Sequence, residues 1–141
     1  MSLVDLTGAY DLHVHSNPEL FLRIGDDLDL ARHASQSGLA GIMIKNHFES
    51  TVGRAALADR MVEGTRVFGG LVLNWFTGGL NPLAAETALR MGARQIWMPT
   101  VDATAHAAAF GQTGGFTHQK SGLKLPRPGI SVLGEDDVLM P

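Results

Sequence analysis

Short apolar runs alternate four times with helix-like segments along the first 110 residues, and this alternation constrains the fold more than any other feature of the chain. Each unit has the pattern of a strand followed by a helix, with glycine near the end of each helix. Successive strand–helix units imply parallel strands joined by right-handed crossovers. The sequence therefore predicts an α/β fold built from four βα units.

Local signals set the expected bounds of these units. Asp26 and Asp27 suit a helix N-terminus, where carboxylates accept hydrogen bonds from free N–H groups and face the positive end of the helix dipole. Asn81 and Pro82 similarly suit an N-cap and a first helical residue. The predicted strands span about 9–16, 39–48, 66–76 and 94–102, and the predicted helices about 26–37, 50–63, 82–92 and 103–110.

Four βα units correspond to half of a (β/α)8 barrel, which usually needs about 250 residues. A chain of 141 residues therefore fits an open sheet, a half barrel or a truncated gene product. We expect one domain over residues 1–141, with the βα half barrel at 8–110. The segment 111–129, rich in Gly, Pro, Lys and His, predicts a flexible loop, and 130–141 predicts a terminal hairpin.

Composition narrows the possible partners. The absence of cysteine excludes disulfides and thiolate metal sites. A net charge of -3 provides neither a basic patch for nucleic acid nor a cationic face for a membrane surface. The sequence has neither a signal-peptide pattern nor an apolar run of about 20 residues. We therefore expect a cytoplasmic protein that acts on a small molecule, without nucleic-acid or membrane partners.

Two histidines stand two residues apart on the first predicted strand. Because successive side chains of a strand alternate between faces, His13 and His15 share one face, while Leu12 and Val14 share the other. Imidazole nitrogens bind divalent transition metals near neutral pH. The pair predicts a metal site, with zinc as the first candidate and iron, manganese or nickel as alternatives.

The second predicted strand repeats this spacing. Lys45 and His47 lie on the face opposite Ile42 and Ile44. Ligands of parallel α/β sheets gather at the C-terminal ends of the strands, where Asp102 ends the fourth predicted strand. We therefore predict His47 as a third metal ligand or proton carrier, and Lys45 and Asp102 as catalytic residues.

These motifs carry a family resemblance. The segments 11–16 (Asp-Leu-His-Val-His-Ser) and 45–48 (Lys-Asn-His-Phe) resemble the metal-dependent hydrolases of the amidohydrolase superfamily and the related polymerase and histidinol phosphatase (PHP) fold. The segments 13–18 and 97–103 resemble a poorly characterised amidohydrolase-like branch with longer members. The resemblance covers most of residues 9–141, but only the N-terminal half of that TIM-barrel architecture.

The resemblance implies a divalent metal held by His13 and His15, and the PHP-like pattern adds His47. It implies hydrolysis of a C–N, C–O or phosphoester bond by a metal-activated water; some members of the superfamily are decarboxylases instead. Amidohydrolases often carry a carboxylated lysine on strand four, whereas Lys45 lies on strand two. PHP proteins tend to place a glutamate near strand three, where this chain has Asn74. The superfamily's later histidines and final aspartate have no counterpart here.

Three further residues are predicted to bind substrate. Glu19 and Arg23 follow the first strand, and His106 lies near the start of the fourth helix. Four other residues are expected to lie outside the site: His33 and His118 at the surface, and Trp75 and Trp97 in the core or against helices.

Structural roles remain open for several of these residues. Hydrogen bonds alone could satisfy the histidines at 13 and 15. An ion pair with Asp11 or Asp102 could hold Lys45, and Asp102 could instead cap the helix that begins at 103.

The rival to the hydrolase interpretation is a non-catalytic or truncated half barrel that needs a partner chain to complete its site. Two half barrels could also associate, because unpaired strand edges are liabilities in a monomer. The sequence therefore predicts a homo-oligomer or a complementing chain.

Overall fold

A computed structural model describes residues 4–116, 122–123, 127–134 and 138–139. Four parallel strands form one curled sheet in the order β1-β2-β3-β4, and helices alternate with them, which confirms the predicted α/β half barrel. The strands are β1 (Tyr10–Val14), β2 (Gly41–Ile44), β3 (Arg66–Val72) and β4 (Gln95–Trp97). The helices are α1 (Asp27–Gln36), α2 (Val52–Met61), α3 (Pro82–Arg90) and α4 (Thr104–Phe110), and Trp75–Thr77 forms a 3-10 turn.

The helices begin close to where the local signals placed them. Asp26 caps α1 in a capping box with Asp29, and the Asn81 side chain caps α3 ahead of Pro82. The expectation that Asp102 caps α4 is wrong. Ala103 occupies the N-cap position without a side-chain hydrogen bond, and the Asp102 carboxylate bonds elsewhere.

The strands are shorter than predicted, mostly at their C-terminal ends. The third predicted strand, 66–76, stops at Val72, and the chain then turns through the 3-10 segment. The polar residues that follow β1, β2 and β4 likewise lie outside the strands. Their side chains form hydrogen bonds with one another at the C-terminal end of the sheet. These extensions form loops around a pocket.

Apolar side chains on one face of the sheet pack against the helices. Strand residues Ile42, Ile44 and Val67 form one cluster with the buried residues of α1 and α2. A second cluster joins β3 to α2 and α3. Gly69 allows α2 to approach the sheet closely, since a Cβ there would lie 2.6 Å from the Thr51 carbonyl oxygen. The helices thus cover one face and leave the other to line the half-barrel interior.

An irregularity in β1 determines which residues face that interior. The register with β2 shifts between Asp11 and Val14, so the bulged strand carries one extra residue. The Asp11 carboxylate accepts a hydrogen bond of 2.9 Å from the His13 backbone N–H. The interior face therefore includes Tyr10, next to Gly41, as well as His13 and His15.

Both outer strands of the sheet have exposed apolar neighbours. Leu12 on β1 is largely exposed, and Leu22 and Ile24 in the following loop are 88% and 92% exposed. Near β4, Met98 and Leu139 are also exposed. The order of the sheet leaves β1 and β4 each without a strand neighbour on one side, within the described part of the chain.

The C-terminal segment returns to the sheet end. Ile130 is buried and pairs with Ala103 in a parallel bridge, and Leu133 pairs with Leu139 in an antiparallel bridge. The terminal hairpin predicted over 130–141 stays a prediction, because residues 135–137 and 140–141 lie outside the described residues. The predicted flexible loop at 111–129 falls partly on 117–121 and 124–126, which also lie outside them.

None of the helices in the described ranges has the length and apolar character required to cross a lipid bilayer.

The close approach of α2 to β3 gives a stability prediction. Gly69→Ala should lower the free energy of unfolding by about 1–3 kcal/mol, because its Cβ would push against the Thr51 backbone. Gly53→Ala is the matched control: this exposed glycine of α2 has no heavy atom within 4 Å of an added Cβ. Its substitution should raise stability by up to about 1 kcal/mol. Urea denaturation measures both; equal effects would contradict the packing argument.

Candidate metal and substrate pocket

A pocket of about 390 Å³ opens at the C-terminal ends of the strands. As far as the structure describes it, the lining is rich in imidazoles and cationic side chains and includes no carboxylate: His13, His15, Arg23, Lys45, His47, Thr100, Val101, His106 and Phe116. The three histidines predicted as metal ligands therefore meet in one place.

The histidine pair of β1 has converging ring nitrogens. His13 Nε2 lies 3.2 Å from His15 Nε2. Two nitrogens bound at about 2.05 Å to one tetrahedral zinc ion are separated by about 3.3 Å. A direct hydrogen bond, with one ring donating to the other, fits the same distance. The spacing therefore suits a shared ion without rearrangement of the strand.

Glu19 lies behind the histidines with its side chain fully buried. Its Oε2 lies 3.1 Å from His15 Nδ1 and accepts a hydrogen bond from Arg23 Nε, while Oε1 accepts from the His47 backbone N–H at 3.4 Å. Burial raises the pKa of this carboxyl, but the hydrogen bonds and charges of His15 and Arg23 outweigh it and lower the pKa to about 2. Glu19 is therefore an ionised carboxylate at neutral pH.

The Nδ1 atom of His15 can take either of two hydrogen-bonding roles. It can donate to Glu19, or accept from Arg23 Nη2, which lies 3.2 Å away. Donation to Glu19 leaves the lone pair on Nε2, as a metal-binding histidine requires. A carboxylate that accepts from the second ring nitrogen is the usual support of a histidine ligand.

His47 is buried at the end of β2 and oriented by a polar chain. Its Nδ1 lies 2.9 Å from Thr100 Oγ1, and the Asn74 amide donates to that hydroxyl at 3.0 Å. Asn74 also donates to the His47 carbonyl and accepts from the Thr100 N–H. When Nδ1 donates to Thr100, the Nε2 atom of His47 is left to bind an ion or a proton.

Two of the pocket imidazoles have lowered pKa values. Burial, followed by the charge of His15, lowers the pKa of His47 to about 3. Burial and the nearby Lys45 and His15 lower the pKa of His13. Both rings are therefore neutral near pH 7, which is the form that binds metals.

Lys45 is 4% exposed and lines the pocket. Its Nζ lies 5.4 Å from the centre of the Trp97 ring, in a cation–π arrangement. Burial lowers the pKa of Lys45, and the charge of Glu19 opposes this shift. Within the described ranges its ammonium pairs with neither Asp11 nor Asp102, the two partners considered from the sequence.

Asp102 is fully buried but does not line the pocket. Its Oδ2 accepts from the Trp75 backbone N–H at 3.0 Å, and its Oδ1 accepts from Arg127 Nε at 3.1 Å. Both oxygens thus hold neighbouring loops together. A catalytic role for Asp102 stays a prediction, and this placement gives it no direct access to the pocket.

His106 of α4 lines the pocket, and its role in substrate binding stays a prediction. Its Nε2 donates to the Gly115 carbonyl at 2.7 Å, so Nδ1 carries the lone pair of the neutral ring. Phe116 contacts both the His106 and the His47 rings, with centroids 5.1 Å and 6.3 Å away. Phe116 therefore forms an apolar wall between these two histidines.

A cation outside the pocket fixes the loop that carries Glu19. Arg54 of α2 pairs with Asp27 at 2.7 Å and donates to the carbonyls of Asn17 and Pro18 at 2.6 Å and 3.0 Å. Burial lowers the pKa of Arg54, but the hydrogen bonds that its guanidinium donates to the Asp27 and Glu49 carboxylates outweigh burial and raise the pKa. This partly buried, multiply bonded guanidinium anchors the β1–α1 loop on α2.

Among the described residues, one group of three donors is close enough to share a divalent ion: the ligand atoms of His15, Glu19 and His47 all lie within 4.8 Å of one another. His13 lines the same pocket but does not belong to that group. Neutral imidazoles with a buried carboxylate suit zinc, iron, manganese or nickel. Glu19, predicted to bind substrate, thus lies among the potential ligands or directly behind them.

Sequence reasoning missed Asn74, Thr100 and Arg54 as parts of the site. Their roles arise from hydrogen bonds between residues far apart in the chain. Of the residues expected outside the site, His33 is exposed as predicted, and His118 lies outside the described residues. Trp75 is 41% exposed rather than buried, and Trp97 is half-buried beside Lys45.

The lowered pKa of Glu19 gives an acid-stability prediction for metal-free protein. Since the native pKa of about 2 lies below the ordinary glutamate value of 4.5, the stabilisation is complete above pH 4.5 and is lost as pH falls towards 2. Between pH 6 and 2, wild type should lose up to about 3 kcal/mol more unfolding free energy than Glu19→Gln. Urea titrations with a chelator measure this difference. Glu63→Gln, at an exposed position, should follow wild type; parallel curves for wild type and Glu19→Gln would contradict the assignment.

Comparison with known proteins places the chain in a family without assigning a function. Neither the curated proteins nor the solved structures gave a match. One family model, described as a family of unknown function (DUF6282), matches residues 8–141. Because that match covers nearly the whole chain, this protein belongs to the DUF6282 family.

Proposed function

We propose that this protein is a metal-dependent hydrolase-like domain of the amidohydrolase type. The observation that carries the proposal is the 3.2 Å approach of His13 Nε2 to His15 Nε2, with Glu19 at the second ring nitrogen of His15. The position of the pocket, at the C-terminal ends of parallel strands, supports it. So does the resemblance of the Asp-x-His-x-His segment to the amidohydrolase superfamily.

The residues that would hold the ion are His13, His15 and His47, with zinc as the first candidate. A divalent ion held there would lower the pKa of a water molecule to roughly 7 and polarise the carbonyl or phosphoryl group under attack. Glu19 keeps His15 in the tautomer that exposes Nε2, and Thr100 does the same for His47.

Proton transfer falls to groups that face the pocket. The Nδ1 atom of His106 carries the lone pair of the neutral ring and can accept a proton, while Nε2 stays on the Gly115 carbonyl. Lys45 is the cation available to stabilise negative charge that develops on the substrate. Phe116 and Phe21 exclude water from the side of His47.

The bond that is cleaved is a C–N, C–O or phosphoester bond, and decarboxylation is the alternative chemistry for the same residues. Hydrolysis is preferred because the pocket presents convergent imidazoles and a general base. The substrate is a small molecule, since the pocket measures about 390 Å³.

A second candidate concerns assembly and follows from the sheet edges. Leu12, Leu22 and Ile24 expose apolar surface beside β1, and Met98 does so beside β4. Exposed strand edges with apolar neighbours favour association. We propose that a second copy of the chain covers these edges and completes the barrel-like enclosure of the site.

Elemental analysis tests the metal site. Wild-type protein reconstituted with zinc, manganese, iron or nickel and then desalted should retain a stoichiometric amount of one of them. His13→Ala and His47→Ala should lose it, because each removes a predicted ligand. His33→Ala removes an exposed histidine of α1 and should retain the metal. Failure of wild type to retain any metal, with circular dichroism showing all proteins folded, would overturn the hydrolase proposal.

The role of Glu19 separates the two possible ligand sets. If Glu19 only orients His15, Glu19→Gln should weaken metal affinity by about 10–100-fold, as for other supporting carboxylates. If Glu19 is itself a ligand, the variant should lose stoichiometric metal as the histidine variants do. Competition with a chromogenic chelator measures these affinities.

Sedimentation equilibrium tests the assembly proposal. Wild type should form a dimer, and Leu22→Glu combined with Ile24→Glu should shift it towards monomer by placing charges on the apolar edge. Leu57→Glu, which alters an exposed leucine of α2, is the control and should leave the dimer intact. A wild-type monomer across the measured concentration range would contradict association with a second copy.

A further inference from the structure

We propose that Lys45 and Arg23 form an oxyanion subsite that binds the carboxylate or phosphate group of a small organic substrate, with the substrate's apolar part against Phe116. This inference rests on the proposed function in one respect: the bound anion is a substrate only if the protein is a hydrolase. The subsite itself is independent of the metal and can be tested without it.

The first support is the unusual placement of Lys45. Lysine is seldom buried without a partner, because a desolvated ammonium needs compensating charge or hydrogen bonds. Lys45 is 4% exposed and faces the pocket, and its contact in the described structure is the Trp97 ring. That cation–π contact leaves the three N–H donors of the ammonium for a ligand.

The second support is the charge balance of the lining. Among the described residues, the pocket walls include Lys45 and Arg23 but no carboxylate. Glu19, the acid whose charge acts on Lys45, has a fully buried side chain and is engaged by Arg23, His15 and the His47 N–H. Its single charge cannot neutralise both cations, so the pocket keeps a positive charge that a ligand anion would balance.

Arg23 adds a second set of donors. Its Nε bonds to Glu19 and its Nη2 contacts His15, and the guanidinium lies 5.5 Å from the centre of the Phe21 ring. A guanidinium has five N–H donors, so this arrangement leaves donors for a ligand oxygen. The Glu19 pair holds Arg23 in place, which reduces the entropy lost when an anion binds.

The third support is an apolar wall in the same pocket. Phe116 lines the pocket and packs against the rings of Phe21 and His106, with centroids 5.8 Å and 5.1 Å away. A purely inorganic anion would leave this wall in water. An anion with an apolar or aromatic body would cover it while its oxygens reach Lys45.

Calorimetric titration of chelator-treated protein tests the subsite. The probes are benzoate, phenyl phosphate and inorganic phosphate, which separate a carboxylate from a phosphate and show the contribution of an aromatic body. We expect one of the aromatic anions to bind, and Lys45→Met to weaken its binding at least tenfold, as expected for loss of a charge-assisted contact. Phe116→Ala should weaken the aromatic anions but not inorganic phosphate.

The control variant is Arg94→Gln, which removes one positive charge from an exposed position just before β4, at the opposite end of the sheet. It should bind the probes within about twofold of wild type, because an exposed charge is largely screened beyond about 10 Å at 0.1 M salt. Equal weakening by Arg94→Gln and Lys45→Met would show only a general charge effect and would overturn the proposal.

A second measurement uses wild-type protein and does not depend on the folding of a variant. The chain has three lysines, Lys45, Lys120 and Lys124. Reductive methylation followed by peptide mass spectrometry should show that the bound anion slows modification of Lys45 alone. No protection of Lys45 at a saturating anion concentration, or no binding of any probe, would overturn the subsite. If the protein retains metal but binds no anion, the proposed function stands and the subsite is overturned. If it binds the anion but retains no metal, the subsite stands and the hydrolase proposal is overturned.

Discussion

The buried carboxylate of Glu19 is the contact on which the arrangement of the site depends. It joins the loop after β1 to the end of β2, through Arg23, His15 and the His47 backbone N–H. An ionised carboxylate out of water is costly unless hydrogen bonds replace its solvation, so these donors must be in position together. Arg54 supports the same loop from α2 by binding its carbonyls. The orientation of the histidines therefore follows from loop anchoring as much as from the strands.

The sheet and the polar network have separate tasks. Apolar side chains such as Ile44 and Val67 fasten the sheet to the helices and set the spacing of the strand ends. Beyond those ends, the Asn74 amide links the ends of β2 and β4 through His47 and Thr100. The hydrogen-bond network that fixes the pocket does not cross the open edges of the sheet. The pocket can therefore be well ordered although the outer strands lack neighbours in the described structure.

Features that depend on neighbouring residues in the chain were predicted correctly, whereas features that depend on contacts between distant residues were not. Lys45 and His47 face the pocket because β2 alternates regularly before them. His13 and His15 share a face, as their spacing predicted, whereas the register shift between Asp11 and Val14, which places Tyr10 on that face as well, had no signal in the sequence. Asp102 was expected at a helix cap, but long-range contacts with Trp75 and Arg127 hold it instead. Buried amides such as Asn74 carry no spacing signal, since their partners come from other strands.

The amino-acid sequence by itself determined the four βα units, the parallel α/β class and the histidines at the strand ends. These follow from local rules: the period of apolar residues, helix capping and strand alternation. Only the tertiary structure decided that Glu19 stands behind His15, that Lys45 lies against Trp97 without a carboxylate partner among the described residues, and that Asp102 is withdrawn from the pocket. The physical reason is that burial and hydrogen-bond partnership depend on which loops meet above the sheet, and residues distant in the chain determine that together.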